Sequence, residues 1–106
     1  MSIEFDSSCP KGCLVIGNKI IEKASGGVYT HINPATGKPQ ADIPLAGVAE
    51  TEDAIAAAKT AFETWRSMPG RERMVLLNRL ADLIKQNASE FQRLAVIEGG
   101  TPYSVA

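Results

Sequence analysis

The stretch Asn33-Pro34-Ala35-Thr36-Gly37 decides the fold of this chain, because it predicts a tight reversal between two strand-like segments. Pro34 presets φ at the first corner, Asn33 accepts backbone hydrogen bonds, and Gly37 takes the left-handed conformation that closes the turn. On both sides of the turn, the side chains alternate between two faces, as they do in a half-buried strand. The stretch therefore predicts two strands joined by a short turn.

The strands extend on both sides of this turn and are preceded by a second hairpin. Residues 13–16 form a short apolar run, Gly17-Asn18 suits a two-residue turn, and residues 19–24 are the return strand. Ser25-Gly26-Gly27 interrupts the pattern. The strand before the Asn-Pro turn covers 28–33. In the strand after it, prolines at both ends indicate an edge position, since proline has no N–H to donate.

The second half changes to a helical period. Apolar residues recur at steps of three and four over residues 51–67, with Thr51 as the predicted N-cap. Pro69 fits the first turn of a second amphipathic helix. Asn87 followed by Glu90 resembles a capping box and predicts a third, shorter helix, which Gly99-Gly100 and the nearby proline bring to an end.

These patterns divide the chain into a tail at 1–12, hairpin or meander strands at 13–48, and three amphipathic helices at 49–106. Taken alone this is an α+β arrangement. The chain has 106 residues, 44% of them hydrophobic, and a net charge of −1, which argues against a dedicated nucleic-acid-binding protein. No apolar run is long enough to cross a membrane. The acidic, polar start is not a signal peptide, so a cytoplasmic location is the expectation.

The residue types that usually carry chemistry do not form a catalytic set. Cys9 and Cys13 have three residues between them, whereas a redox pair has two, and His31 is the only further candidate for a zinc site. We interpret Cys9 as a tail thiol, Cys13 as a strand residue, and His31 as an ordinary polar-face residue. The sequence therefore predicts no catalytic, cofactor-binding or metal-binding residue in this chain.

The remaining charged and glycine-rich features have structural interpretations too. The two glycine pairs lack the spacing of a dinucleotide-binding loop, so they are a turn and a helix stop. Asn87-Ala88-Ser89 matches a glycosylation sequon, but helix capping is the preferred interpretation. Trp65 is predicted to be a core or interface anchor. The helix charges are either a solvated outer face or, for the arginines, an anion-binding patch; they are Glu52, Asp53, Glu63, Glu72, Arg66, Arg71, Arg73 and Arg79.

Five motifs follow one another at characteristic spacing between residues 14 and 104. They are a hairpin, an Asn-Pro-Ala-Thr-Gly turn, a helix ending in Trp-Arg, a Leu-x-x-Leu-Ala-Asp-x-Ile stripe, and an acidic residue followed by glycine and proline. Their order and spacing resemble the amino-terminal region of the NAD(P)-dependent aldehyde dehydrogenase superfamily. In this chain the motifs are Leu14–Ala24, Asn33–Gly37, Trp65-Arg66, Leu77 to Ile84, and Glu98, Gly100 and Pro102.

Two positions depart from the common pattern of the family. The hairpin pair is Gly17-Asn18 where Asn-Gly is common, and Thr101 stands where many members carry lysine. The first departure still makes a two-residue turn. The second points at most to a subfamily, so neither changes the fold that the resemblance implies.

The resemblance implies an α/β fold, the amino-terminal part of a Rossmann-like cofactor-binding domain. It also implies a parent enzyme that oxidises an aldehyde to a carboxylic acid with NAD or NADP, through a cysteine thiolate and a glutamate. In the family those residues lie beyond the position of Ala106, so neither Cys9 nor Cys13 inherits the nucleophile's role. The expected partners are the remainder of the dehydrogenase chain and further copies in a homo-oligomer.

Two functions follow from this sequence. In the first, the chain is the amino-terminal segment of an aldehyde dehydrogenase; it is inactive and binds no cofactor alone. In the second, it is a free-standing, non-catalytic interaction or oligomerisation module, because three amphipathic helices leave apolar faces that favour association.

Overall fold

The computed structural model describes residues 6–106, so residues 1–5 of the predicted tail lie outside the described residues. Residues 6–13 belong to no helix or strand. Two short hairpins come next, and three helices follow. The elements are β1 (Leu14–Ile16), β2 (Lys19–Ile21), β3 (Val28–Ile32), β4 (Pro39–Pro44), α1 (Val48–Ser67), α2 (Gly70–Gln86), α3 (Ala88–Gly99) and a 3-10 turn (Tyr103–Val105).

Strands β1 and β2 form a separate two-stranded antiparallel sheet. Gly17 and Asn18 both have positive φ, 57° and 63°, which is the geometry of a type I′ turn and matches the twist of a hairpin. The prediction that Cys13 lies in this hairpin is wrong, because β1 begins one residue later and Cys13 is exposed.

Strands β3 and β4 form the second antiparallel sheet, with Tyr29 opposite Ile43 and His31 opposite Ala41. A register irregularity lies between His31 and Ile32. His31 is half-buried while Ile32 is exposed. The interpretation of His31 as an ordinary polar-face residue is therefore corrected, because its side chain lies on the covered side of the hairpin.

Helix α1 begins at Val48, three residues before the predicted start, and its N-cap is Gly47. The Gly47 N–H donates to the carboxylate of Glu50 at 2.9 Å, so Glu50 satisfies a donor that the helix leaves unpaired. Thr51 is not the cap. Its hydroxyl instead donates to the Gly47 carbonyl at 2.9 Å, one turn back along the helix.

The junction between α2 and α3 differs from the predicted capping box. The Asn87 side-chain amide donates to the Leu83 carbonyl at 2.8 Å and so closes the end of α2 rather than capping α3. Helix α3 ends as predicted at its glycine pair. Gly100 is left-handed, with φ 69°, and its N–H donates to the Val96 carbonyl at 3.0 Å, as an αL C-cap does.

Little apolar surface is buried among residues 6–106. Ile97, in α3, is the one large hydrophobic side chain in this range that is fully buried, with 3% of its surface exposed. The radius of gyration is 17.6 Å, against about 13 Å for a compact domain of this length. The accessible surface is 8404 Å², about 2,700 Å² more than expected for a folded monomer of 11.3 kDa. The apolar stripes of α1 and α2 are therefore left uncovered.

Candidate functional site

A network of polar side chains surrounds the Asn-Pro turn. We call it the hairpin junction, defined by the Asn33–Gly37 turn, His31, Gln40, Ile97 and Gly100. Asn33 builds the turn: its side-chain oxygen accepts from the N–H groups of Ala35 at 2.8 Å and Thr36 at 3.2 Å. The Gly37 N–H donates to the Asn33 carbonyl at 2.8 Å, and Gly37 has a φ of 69°. The turn forms as its sequence predicts.

Gln40 connects this turn to the end of α3. Its side-chain oxygen accepts from the Asn33 amide nitrogen at 3.0 Å. Its nitrogen lies 2.8 Å from His31 Nδ1 and donates to the Ile97 carbonyl at 2.8 Å. The bond to Ile97 spans 57 positions of sequence and joins the second hairpin to α3 at a buried residue of that helix.

Proline and glycine make the same junction close-packed. A Cβ placed on Gly100 would lie 3.1 Å from Cγ of Pro34, tighter than an ordinary van der Waals contact. Gly100 is therefore required twice, by its left-handed φ and by the approach of Pro34. The Asn-Pro turn and the glycine after α3 are distant in sequence but form one packed corner.

A second polar cluster holds the start of α1. The Glu50 carboxylate accepts from the Ser25 N–H at 2.7 Å and from the Ser25 hydroxyl at 2.5 Å, besides its bond to the Gly47 N–H. The two hydrogen bonds from Ser25, the hydroxyl first, lower the pKa of Glu50 from 4.5 to about 2. This carboxylate is a structural acceptor that ties the loop before β3 to the first turn of α1.

Arg93 holds residues 6–8 against α3. Its guanidinium pairs with Glu90, at 2.6 Å between Nη2 and a carboxylate oxygen, and donates to the backbone carbonyls of Asp6 and Ser8. The hydrogen bond to Glu90 raises the pKa of Arg93, and the same bond lowers the pKa of Glu90. The Arg93 side chain is only 16% exposed, so it anchors the amino-terminal segment and is not open to a ligand.

The sequence did not predict the roles of Gln40, Glu50 and Arg93, which each join distant parts of the chain. Gln40 and Arg93 carry no local signal, because their partners lie far away along the chain. Glu50 has a signal that was overlooked: it lies three residues after Gly47, and an acidic residue at that position of a helix is a capping pattern.

The predicted chemistry-bearing residues stay apart from one another. Cys9 and Cys13 are free thiols, and residues 6–106 hold no group of three or more His, Cys, Asp or Glu side chains arranged for a metal ion. Cys9, Lys11, His31 and Glu98 line one cleft of about 170 Å³ beside β4. Of the helix charges, Arg66 contacts Glu63 at 3.5 Å. The other helix charges lie at exposed positions, apart from the half-buried Arg73, so they form an outer face.

An exposed apolar surface follows α1 and α2. Trp65 stands at its centre, 38% exposed, between an open groove along α1 and a second groove along α2. Phe62 and Leu77 flank it, 54% and 56% exposed. Other large side chains on these helices are also exposed: Val48, Ile55, Met74, Val75, Leu76, Leu80, Leu83 and Ile84. No described helix is both long and apolar enough to cross a membrane.

Known proteins share the sequence pattern of this chain. The model of the aldehyde dehydrogenase family matches residues 20–106, most of the chain. The chain belongs to the aldehyde dehydrogenase family. The resemblance predicted from the five motifs is thereby confirmed for the amino-terminal region of the family.

Individual members of the family match at moderate identity. The chain is 40% identical over 79 residues to 5-carboxymethyl-2-hydroxymuconate semialdehyde dehydrogenase of Escherichia coli, covering 74% of this chain and 17% of the relative. It is 36% identical over 91 residues to malonate-semialdehyde dehydrogenase 2 of Geobacillus kaustophilus, covering 86% and 19%. It is 36% identical over 95 residues to mouse cytosolic 10-formyltetrahydrofolate dehydrogenase, covering 88% and 10%. The matched region is thus between a tenth and a fifth of these relatives.

A solved structure confirms the α/β fold class. Proline utilization A from Bdellovibrio bacteriovorus superimposes with a TM-score of 0.80 at 30% identity, over 88% of this chain and 10% of that one. The hairpins and three helices therefore have the arrangement found within a much larger chain.

Proposed function

We propose that this chain is a scaffold segment of an enzyme that oxidises an aldehyde to a carboxylic acid with NAD or NADP. Family membership supports the reaction class, since the matched relatives are named as dehydrogenases, several of them of semialdehydes. The chain supplies the two hairpins and three helices, while the nucleophile and the cofactor-binding residues come from elsewhere. Alone it is inactive and binds neither NAD nor NADP, and the enzyme works in the cytoplasm.

The exposed apolar faces of α1 and α2 are the observation that carries this proposal. The surface excess of about 2,700 Å² lies on this chain alone, so covering it would bury about 5,400 Å² over both partners, at the upper end of obligate interfaces, which bury roughly 2,000 to more than 5,000 Å² in total. The partner of these faces is the remainder of an aldehyde dehydrogenase chain, since the relatives extend far beyond the matched region. In the complete enzyme, further copies then assemble into a homo-oligomer.

A chimera tests the proposal. The matched region of the Geobacillus kaustophilus relative is replaced by residues 6–106 of this chain, and reduction of NAD or NADP is followed with the semialdehyde of that relative. The same relative lacking the region is the control. We expect activity from the chimera and none from the deleted relative or from the isolated chain. NADH or NADPH production by the isolated chain with an aldehyde would refute the scaffold role.

The second candidate is a free-standing interaction or oligomerisation module, favoured by the same uncovered faces. It predicts a folded, self-associated chain whose apolar surface is already covered in solution. Gel filtration with ANS fluorescence separates the two functions. A discrete oligomer that does not bind ANS favours the module, whereas a monomer that binds ANS strongly favours the scaffold segment awaiting its partner.

A further inference from the structure

The hydrogen bonds of the hairpin junction fix which atom of each side-chain amide faces which neighbour. Asn33 Oδ1 accepts two backbone N–H groups in the turn, from Ala35 and Thr36. The amide of Asn33 therefore cannot rotate without breaking the turn, and its Nδ2 must point at Gln40. The oxygen of Gln40 has to receive that donor, which sets the orientation of the second amide.

The orientation of Gln40 in turn determines the protonation of His31. The two hydrogens of Gln40 Nε2 point at the Ile97 carbonyl and at His31 Nδ1, both 2.8 Å away. A carbonyl only accepts, so the Ile97 contact independently requires the amide nitrogen on that side. His31 Nδ1 must then accept as well, which requires that it carry no proton. The junction is complete only with a neutral imidazole protonated at Nε2.

Protonation of Nδ1 breaks this arrangement. An imidazolium donates from both nitrogens, so Nδ1–H would face N–H of Gln40, donor against donor. Rotating the Gln40 amide would relieve that contact. It would also turn the amide oxygen toward the Ile97 carbonyl and the amide nitrogen toward Asn33 Nδ2. Every rearrangement within the junction therefore loses at least one hydrogen bond.

Other charged groups around His31 do not replace the lost bond. Glu98, from α3, lines the same cleft as His31 and is negatively charged. Lys11, which is positively charged, and Cys9 line it from the segment before β1. On β4, the carboxylate of Asp42 bonds the Thr30 hydroxyl at 3.1 Å, and residue 42 alternates to the opposite face of the hairpin from residue 41. Within residues 6–106, the partner of His31 Nδ1 is the Gln40 amide, and no salt bridge joins His31 to a carboxylate.

We propose that His31 is a proton-sensitive latch: neutral, it holds the end of α3 on the β3–β4 hairpin through Gln40, and protonated at Nδ1 it releases that end. The test therefore compares pH 8 with pH 5, on either side of the range in which imidazole side chains as a class change charge. The released region is the corner formed by Pro34 and Gly100, with Ile97 beneath it.

Nuclear magnetic resonance of the 106-residue chain tests the latch. Long-range ¹H–¹⁵N spectra of the imidazole report the tautomer, and we expect the Nε2–H form at pH 8. Amide exchange at Gly100, corrected for intrinsic pH dependence, should increase about two- to tenfold between pH 8 and 5, the factor that one hydrogen bond contributes. Exchange at Asn18, in the other hairpin, is the internal reference.

The matched control is His31→Asn, because the side-chain oxygen of Asn occupies the place of Nδ1 and accepts without titrating. Its Gly100 exchange should be independent of pH in the same window. Gln40→Glu should reverse the direction, since a carboxylate accepts from imidazolium. A Nδ1–H tautomer at pH 8, an equal pH response in His31→Asn, or the absence of ordered signals from the junction at pH 8 would each overturn the proposal.

Discussion

Two isoleucine-to-alanine substitutions separate the buried part of this chain from its uncovered faces. Ile97 is 3% exposed at the hairpin junction, and Ile55 is 64% exposed on α1. Ile97→Ala removes buried methyl groups and leaves a cavity, for which large-to-small substitutions cost about 2–5 kcal/mol. We expect about 2 kcal/mol, near the lower limit, because the core around Ile97 is thin and can close. Ile55→Ala should change the free energy of unfolding by less than about 0.5 kcal/mol, as surface substitutions do.

The assay is urea unfolding of the isolated chain followed by circular dichroism, repeated in the chimera. In the chimera, the α1 face is covered if the chain is a scaffold segment, so Ile55→Ala should then cost about 2–5 kcal/mol as well. Equal effects of the two substitutions in the isolated chain would refute the assignment of the core. An effect of Ile55→Ala that stays small in the chimera would refute the covering of α1 by the rest of the enzyme.

Three further outcomes are expected. The pKa of Glu50 is lowered from 4.5 to about 2 in the folded chain, so the stabilising effect of this carboxylate is complete above about pH 4.5 and is lost as the pH falls toward 2. Glu50→Gln should remove this part of the acid sensitivity, which is measured by comparing the free energy of unfolding at pH 3 and pH 6. Gly100→Ala should destabilise by about 1–2 kcal/mol through its left-handed φ and its contact with Pro34. Gly70→Ala, where the added Cβ would meet only the Arg73 guanidinium at 3.8 Å, an ordinary contact, should be neutral or slightly stabilising by thermal unfolding. Trp65→Ala should cost about 1–2 kcal/mol in the isolated chain, where the side chain is 38% exposed, and about 3–5 kcal/mol in the chimera; equal costs would contradict burial of Trp65 by the rest of the enzyme.

The elements that sequence predicts well are those with local causes. The turn at Asn33–Gly37 forms because its proline, asparagine and glycine act within five positions, and α3 ends at Gly100 because only glycine adopts that φ freely. The predicted cap at Thr51 was wrong for a non-local reason: Glu50 is held by Ser25, from a loop 25 positions earlier, and the helix starts where that contact places it.

The site was harder to predict, because its residues look ordinary in sequence. Gln40 reads as the solvent-facing member of an alternating strand, yet it connects Asn33, His31 and Ile97. Its role depends on the packing of α3 against the hairpin, which alternation cannot specify. His31 was assigned to a polar face for the same reason, since a period of two gives which residues share a face but not which face is covered.

The helix faces pose the opposite problem. Their apolar periodicity is clear, but periodicity does not identify the surface that covers them. A stripe such as that around Trp65 and Leu77 predicts that something apolar will cover it, and in most single domains the cover is another part of the same core. Here the second hairpin and α3 meet at Ile97, and the α1 and α2 stripes stay open. A neighbouring domain, a second copy of the chain or a later part of the same chain could each cover such a stripe. What favours the last is the comparison with relatives of five to ten times the matched length, together with a superposition that retains this open arrangement within a larger protein. The uncovered α1 and α2 faces thus support the proposal that this chain is a scaffold segment that packs against the rest of an enzyme.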